Sequence, residues 1–168
     1  MACSSGRRRT RRRYNSGRYR VTADLAFTEV IRECAQAREY DSATWITDDM
    51  MNAYVDLHLQ GHAHSVEVWE GSRLTGGIYG LAIGTAFFGE SMFSRQTDAS
   101  KIALIALCKQ LVDWSFGLLD CQVSNPHLLR MGAIEIPRQE FTSRLSKLVV
   151  NPGMPGSWSR KFQTARRW

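Results

Sequence analysis

The stretch from Ala86 to Val123 constrains the fold more than any other part of this chain. An extended apolar piece, Ala86 to Glu90, leads to a polar loop, Ser94 to Ser100. A strongly apolar helix follows, carrying Ile102, Ala103, Ile105, Ala106, Leu107, Leu111 and Trp114, with Asp98 or Ser100 to cap it and Gly117 to end it. Leu118 to Val123 then reads as a buried strand, too apolar to lie half-exposed. Strand, loop, helix and strand in that order form a crossover, and a crossover makes its two strands parallel neighbours.

The rest of the chain supplies antiparallel strands and more helices. Ser65 to Trp69, Leu74 to Ile83 and Ala86 to Glu90 are strand-like, with turns at Gly71-Ser72 and Gly84-Thr85, so a meander is expected. Tyr19 to Asp24 alternates as a short strand. Phe27, Val30, Ile31, Cys34 and Ala35 recur at helical spacing, predicting a helix from Ala26 to about Arg38. Thr47 is placed to cap a second helix, with Asp48 and Asp49 at its positive end and Gly61 after its last turn. A short helix at Leu128 to Met131, an extended Ile134 to Ile136 and a helix from Gln139 to Val149 complete the order. The class is α/β (α+β), a mixed sheet flanked by helices. At 168 residues the chain holds one domain with a real core. That order resembles the N-acetyltransferase-like fold, in which an acyl donor sits where two parallel strands splay apart.

Charge is unevenly distributed. Residues 1–20 hold eight arginines and no acid, so +8 of charge lies there; the whole chain carries +6, leaving −2 for residues 21–168. Residues 1–17 are expected to form a disordered Arg-rich arm, 18–150 the folded domain, and 151–168, with two Pro-Gly breaks, a loosely ordered basic tail. The arm is either a phosphate-binding element or a solvated tail. No apolar run approaches the roughly 18 to 20 residues that span a bilayer, which argues against a membrane protein. No h-region follows the arginines, which argues against a secretory signal. Cys3, Cys34, Cys108 and Cys121 form no CxxC pair, as expected of reduced thiols in a cytoplasmic protein.

Two constellations could carry chemistry. The loop Glu90-Ser91-Met92-Phe93-Ser94-Arg95 joins a strand to a helix start and mixes a carboxylate, two hydroxyls and a guanidinium, a natural anion site. On an alternating strand, Asp120 and Gln122 point to one face, and unpaired polar groups there cost on the order of 2 to 7 kcal/mol each in a dry core. They are therefore expected to face a polar cleft, near Asn125 and His127 at the strand's C-terminal end, or to pair with backbone. Cys121 is expected to point the other way, into packing. His58 and His62 are four apart, but no further ligand has metal spacing, and no cofactor or metal is expected. Gly77-Ile78-Tyr79-Gly80 is not a dinucleotide fingerprint; its glycines allow close strand packing.

Taken together, several stretches resemble the leucyl/phenylalanyl-tRNA–protein transferase family. They include Tyr19-Arg20-Val21-Thr22, Thr44-Trp45-Ile46-Thr47, Gly61-His62-Ala63-His64-Ser65-Val66-Glu67-Val68-Trp69 and Gly76-Gly77-Ile78-Tyr79-Gly80. The most specific are Phe88-Gly89-Glu90-Ser91-Met92-Phe93-Ser94-Arg95, Ala99-Ser100-Lys101, Asp120-Cys121-Gln122-Val123 with His127, and Glu135-Ile136-Pro137-Arg138. The resemblance implies an N-acetyltransferase-like catalytic domain that moves Leu or Phe, less well Met, from aminoacyl-tRNA to a protein beginning with Arg or Lys, a degradation signal in the cytoplasm. On the matching positions, Gln122 would orient or accept from the attacking amine, and Asp120 would polarise Gln122. Glu90 would hold the positive acceptor end, in a substrate site that includes Ser94 and Arg95. Trp45, Ile78 and Leu107 would form the apolar side-chain pocket. Arg11, Arg12, Arg13, Arg18 and Arg20 would hold the tRNA acceptor stem. The chain would be a monomer matching the C-terminal catalytic domain, without the smaller N-terminal domain of the family. The competing readings are an RNA-binding module without catalysis and an acyl-CoA-dependent N-acyltransferase; the latter calls for a Gly-rich phosphate turn, and Gln96 to Ser100 has no glycine.

Overall fold

A computed structural model describes residues 8–36 and 46–163. Five strands form one sheet in chain order: β1 (Arg20–Ala23), β2 (Ala63–Glu70), β3 (Arg73–Ile83), β4 (Ala86–Ser94) and β5 (Leu118–Asp120). The first four are antiparallel neighbours, and β5 joins β4 in parallel through the crossover. Helices α1 (Arg8–Tyr14), α2 (Phe27–Gln36), α3 (Asp48–Leu59), α4 (Ala99–Asp113), α5 (Pro126–Arg130) and α6 (Arg138–Leu148) surround it.

The sheet separates two apolar clusters. On one face α4 buries Ile102, Ile105, Leu107 and Leu111 against Val66, Val68, Ile78 and Phe87. On the other, α2 packs Phe27, Val30, Ile31 and Cys34 on Ala63, Tyr79 and Phe93, with Met51, Tyr54 and Val55 of α3 beside them. Along β2, Val66 and Val68 belong to the α4 cluster, whereas the carboxylate of Glu67 accepts the backbone N–H of Ala26 at the start of α2. Gly76 allows α4 to sit directly on β3, because a Cβ there would stand 2.6 Å from the Cβ of Ala99. Thr47 caps α3 as expected, its hydroxyl accepting the N–H of Met50.

Three expectations are corrected. First, residues 8–14 of the arm form a helix. Arginine is a good helix former, and Thr10 and Tyr14, four apart, share a face: Thr10 is buried and Tyr14 packs on the α4 cluster. Residues 1–7, also expected to be disordered, lie outside the described residues. Second, the tail is anchored as far as Gln163. Trp158 is fully buried, its ring stacked on His64 at 3.7 Å between centroids and edge-on to Trp114 and Phe116. Its backbone N–H donates to Asp24 at 2.7 Å, and Asp24 also accepts from His64 Nδ1 and from the backbone of Ser65. Third, β5 stops at Asp120 and is half-buried, so the strand expected to reach Val123 is much shorter.

Candidate active site

The site forms where β4 and β5 part. Their parallel pairing has three rungs, Ala86 with Leu118, Phe87 with Leu119 and Phe88 with Asp120. Beyond Phe88 the register of β4 against β3 shifts, a bulge at Gly89 and Glu90, while the chain of β5 turns away. Gln122 adopts a φ of 62°, and Val123 N–H donates to Cys121 O at 2.6 Å, closing a three-residue turn. A left-handed glutamine costs about 1 to 3 kcal/mol of backbone strain. Asp120 offsets it by accepting the Gln122 backbone N–H at 2.8 Å. The Gln122 side-chain amide reaches back across the gap and donates to Gly89 O at 3.3 Å. That bond occupies one of the amide's two N–H donors, and the second N–H and the carbonyl oxygen are what it has left to offer.

Asp120 and Gln122 are therefore brought together, but by a turn and not by strand alternation. Asp120 holds the backbone of Gln122, so its effect on the amide passes through the turn. Both line a cleft of about 460 Å³ bounded by α4, β5, α5 and α6. Leu104, Cys108, Leu119, Leu128, Met131 and Phe141 make its wall apolar, and Asp120, Gln122, Ser124, Glu135, Arg138 and Arg144 supply polar groups. Cys121 lines it too while packing against the α4 cluster. Asn125 caps α5 by accepting Leu128 N–H at 2.9 Å, and Pro126 starts the helix, which fixes the wall carrying Leu128 and Met131. Val123 and Ile134 are exposed at the rim.

The other expected site residues are dispersed. Glu90 is half-buried on β4 and accepts the hydroxyl of Tyr54 from α3; burial, then the Glu90 charge and hydrogen bond, raise that hydroxyl's pKa above its ordinary value. Ser94 is committed to the loop, donating to Gln96 O at 2.7 Å and accepting Ser100 N–H at 3.2 Å. It thus caps α4, whereas Asp98, in the N-cap position at φ 69°, makes no side-chain cap bond. Arg95 turns to α2, where it pairs with Glu33. Ile78 of β3 and Leu107 of α4 are buried in the cluster where α4 packs on the sheet, and neither lines the cleft. Trp45 lies outside the described residues.

The basic residues divide likewise. Arg11 and Arg12 are exposed on α1, and Arg13 donates to Thr97 O at 2.8 Å and to Asp98 at 3.0 Å. Arg18 pairs with Glu70, and Arg20 lies 5.1 Å over the ring of Trp69. No metal-binding group of His, Cys, Asp and Glu occurs among the described residues. His58 is instead bonded to Ala63 O and His64 to Asp24. No helix of the described residues is long and apolar enough to cross a membrane. The outer wall of the cleft, from Leu128 to Arg144, was not foreseen; its apolar residues carry no signal beyond ordinary helix patterning.

A family model described as leucyl/phenylalanyl-tRNA protein transferase matches residues 4–146. Proteins named leucyl/phenylalanyl-tRNA–protein transferase are similar to the chain. The one from Nitrosomonas europaea is 54% identical over 144 residues, covering 86% of this chain and 61% of that protein. Those from Thiobacillus denitrificans and Anaeromyxobacter sp. are 51% and 52% identical, covering 88% and 84% of this chain and 65% and 61% of theirs. The chain thus spans less than two thirds of these relatives. Among solved structures, a ribosomal-protein-alanine N-acetyltransferase from Brucella melitensis biovar Abortus matches with a TM-score of 0.52 at 14% identity, over 71% of this chain and 92% of that one. An aminoglycoside acetyltransferase from an uncultured soil metagenomic sample matches with a TM-score of 0.50 at 10% identity, over 83% and 91%. At such identities the likeness concerns the fold alone, and it is the expected acetyltransferase-like one.

Proposed function

Because the chain belongs to the leucyl/phenylalanyl-tRNA–protein transferase family, we propose that it is the catalytic part of an enzyme that moves leucine or phenylalanine, less well methionine, from aminoacyl-tRNA to the N-terminal Arg or Lys of a protein. Such a product is a degradation signal, and the setting is the cytoplasm. The observation that carries the reading is the apolar cleft opening beside the Asp120–Gln122 turn. An apolar side chain fits its wall, with the ester carbonyl held near Gln122.

In the reaction the acceptor's free α-amine attacks the ester carbonyl. A C–N bond forms, the C–O bond to the ribose breaks, and a proton passes from the amine to the leaving ribose oxygen. Amide formation from an ester is downhill, so positioning dominates. The Gln122 carbonyl oxygen accepts from the amine and aligns it, and Asp120 keeps the left-handed turn in place. Glu90, oriented by Tyr54, offers a carboxylate for the acceptor's cationic side chain. Arg11, Arg12 and Arg13 face the tRNA.

The test is transfer of radiolabelled leucine from Leu-tRNA to an Arg-starting peptide. Asp120→Ala releases the turn and is expected to lower the rate by roughly 100-fold, the cost of misplacing a positioning group by about 1 Å. Gln122→Ala is expected to cost less, since an amide is no base of useful strength. Full activity in both variants would refute the reading.

A further inference from the structure

A hydrogen bond crosses the rim of the cleft. Ser124, two residues past Gln122, donates its hydroxyl to Glu135 Oε1 at 2.5 Å, tying the turn after β5 to the segment that leads into α6. Gln122, Ser124 and Glu135 all line the cleft. Glu135 forms no ion pair among the described residues, and its second oxygen has no hydrogen-bond partner among them. The other charged groups of the lining are Asp120, Arg138 and Arg144. Arg144 pairs with Glu140, and Asp120 holds the backbone of Gln122. The lining thus sets two carboxylates against one guanidinium, Arg138, that has no ion pair among the described residues, which leaves room for a further cation. Glu90 does not line the cleft.

We propose that Glu135 captures the α-ammonium of the acceptor's first residue, so that the site reads a chain end. The inference deepens the transferase reading and rests on it for the acceptor. A carboxylate for the cationic side chain, the part given to Glu90, does not tell a terminal Arg or Lys from an internal one. The α-ammonium does, because only the end of a chain carries it. That group has a pKa of about 7.7 to 8.0 and is mostly charged at pH 7. A carboxylate already fixed by a hydroxyl is a partner of matching charge, and capture of a terminal amine is a recurring mode of peptide recognition. The chain neighbours of the bridge, Val123 and Ile134, are apolar and exposed. A peptide end seated over them excludes water from the ion pair and strengthens it. Gln122 lies two residues from Ser124, so the amine then moves only a short way. The ammonium gives one proton to water at the open rim and passes to the Gln122 carbonyl oxygen as the neutral amine. Glu135 favours the charged form and the amide oxygen does not, so the move frees the lone pair that attacks.

Calorimetry on the full chain tests this with an Arg-starting peptide and its N-acetylated form, at pH 7 and at about pH 9. The peptide's guanidinium is charged at both values, whereas its α-amine is largely neutral at the higher one. Wild type should bind the free peptide more tightly than the acetylated one at pH 7. Glu135→Gln should weaken the free peptide by roughly three- to tenfold at pH 7, the worth of one partly solvated charge-assisted contact. It should leave the acetylated peptide unchanged, and at about pH 9 the loss should vanish. Comparing the two proteins at each pH cancels the titration of the cleft thiols Cys108 and Cys121 and the charges of Asp120, Arg138 and Arg144. Glu135 is exposed, and circular dichroism checks that the variant folds. If it does not, Ser124→Ala, which frees the carboxylate from its hydroxyl, is judged by the same criteria. Unchanged affinity in a folded variant, equal loss for both peptides, a loss that persists at about pH 9, or a wild type that binds no free peptide overturns the proposal. Leucine transfer separates the two readings. Transfer with unaltered Glu135→Gln affinity removes only the capture role, whereas a Glu135-dependent preference for the free amine without transfer keeps that role and removes the transferase reading.

Discussion

Replacing Trp158 with alanine tests whether the chain after Val150 belongs to the folded unit. The indole is fully buried and contacts four aromatic rings, with centroids 3.7 Å from His64, 4.9 Å from Trp114, 5.8 Å from Phe87 and 6.2 Å from Phe116. Its N–H donates to Met154 O at 2.9 Å. Truncating a buried Trp to alanine costs about 3 to 5 kcal/mol in transfer energy and residual cavity. For a chain of this size each kcal/mol lowers Tm by about 2 to 4 °C, so a drop of roughly 6 to 20 °C is expected. Urea titration followed by far-UV circular dichroism should show a lower midpoint at unchanged m, the signature of lost stability without a change in the unfolded ensemble. Trp158→Phe keeps the stack on His64 and should recover more than half of the loss. If Trp158→Ala lost less than about 1 kcal/mol, the tail would not be part of the cooperative unit and the description of Trp158 as core would fail.

Glu67 gives a pH signature. Its carboxyl is buried and accepts from Ser65, Thr22 and the backbone of Ala26; burial, the largest influence, raises its pKa above the ordinary 4.5. Between 4.5 and the higher folded value the native state holds the proton more tightly than the unfolded chain. Stability attributable to Glu67 is therefore fully present at lower pH and declines as pH rises through that window. Urea titrations at pH 5 and above should show that decline in wild type and lose it in Glu67→Gln. Gly76→Ala would set a Cβ 2.6 Å from that of Ala99, forcing α4 off β3. Overpacking of this kind costs about 1 to 3 kcal/mol, which thermal melts would read. Leucine transfer should fall as well, because the same helix carries Leu104 and Cys108 in the cleft wall.

The readable parts of this fold are those whose pattern is set by one strong period. The apolar run Ile102 to Leu111 fits a helix buried on most of its surface, and the strand-like runs with their Gly turns fit neighbouring strands, so α4, the meander and the parallel β5 follow from them. The turn at Gln122 was not legible, because a left-handed glutamine is disfavoured locally and exists only through bonds to Asp120 and Gly89. Arg95 and Ser94 share a loop with Glu90 in sequence, yet one turns to Glu33 and the other caps α4. Nothing local separates such outcomes. Trp158 was hidden by the Pro-Gly breaks around it: its partners Asp24 and His64 lie more than ninety residues away, and composition averages over a single deeply buried ring. In the same way Thr10 and Tyr14 vanish among arginines although Thr10 is buried and Tyr14 packs on the α4 cluster.

The proportions of the sheet bear on how the molecule behaves in a crowd. Its middle strands run 8, 11 and 9 residues, whereas the two outer ones, β1 and β5, run 4 and 3. A foreign strand approaching either margin therefore finds only a few rungs of unsatisfied backbone. At β5 it meets the Gln122 turn immediately, and a tight turn cannot continue a ladder. The short β5 and the turn after it, which line the cleft, also deprive a neighbouring molecule of a template for edge-to-edge growth, so the feature that exposes the chemistry limits self-association.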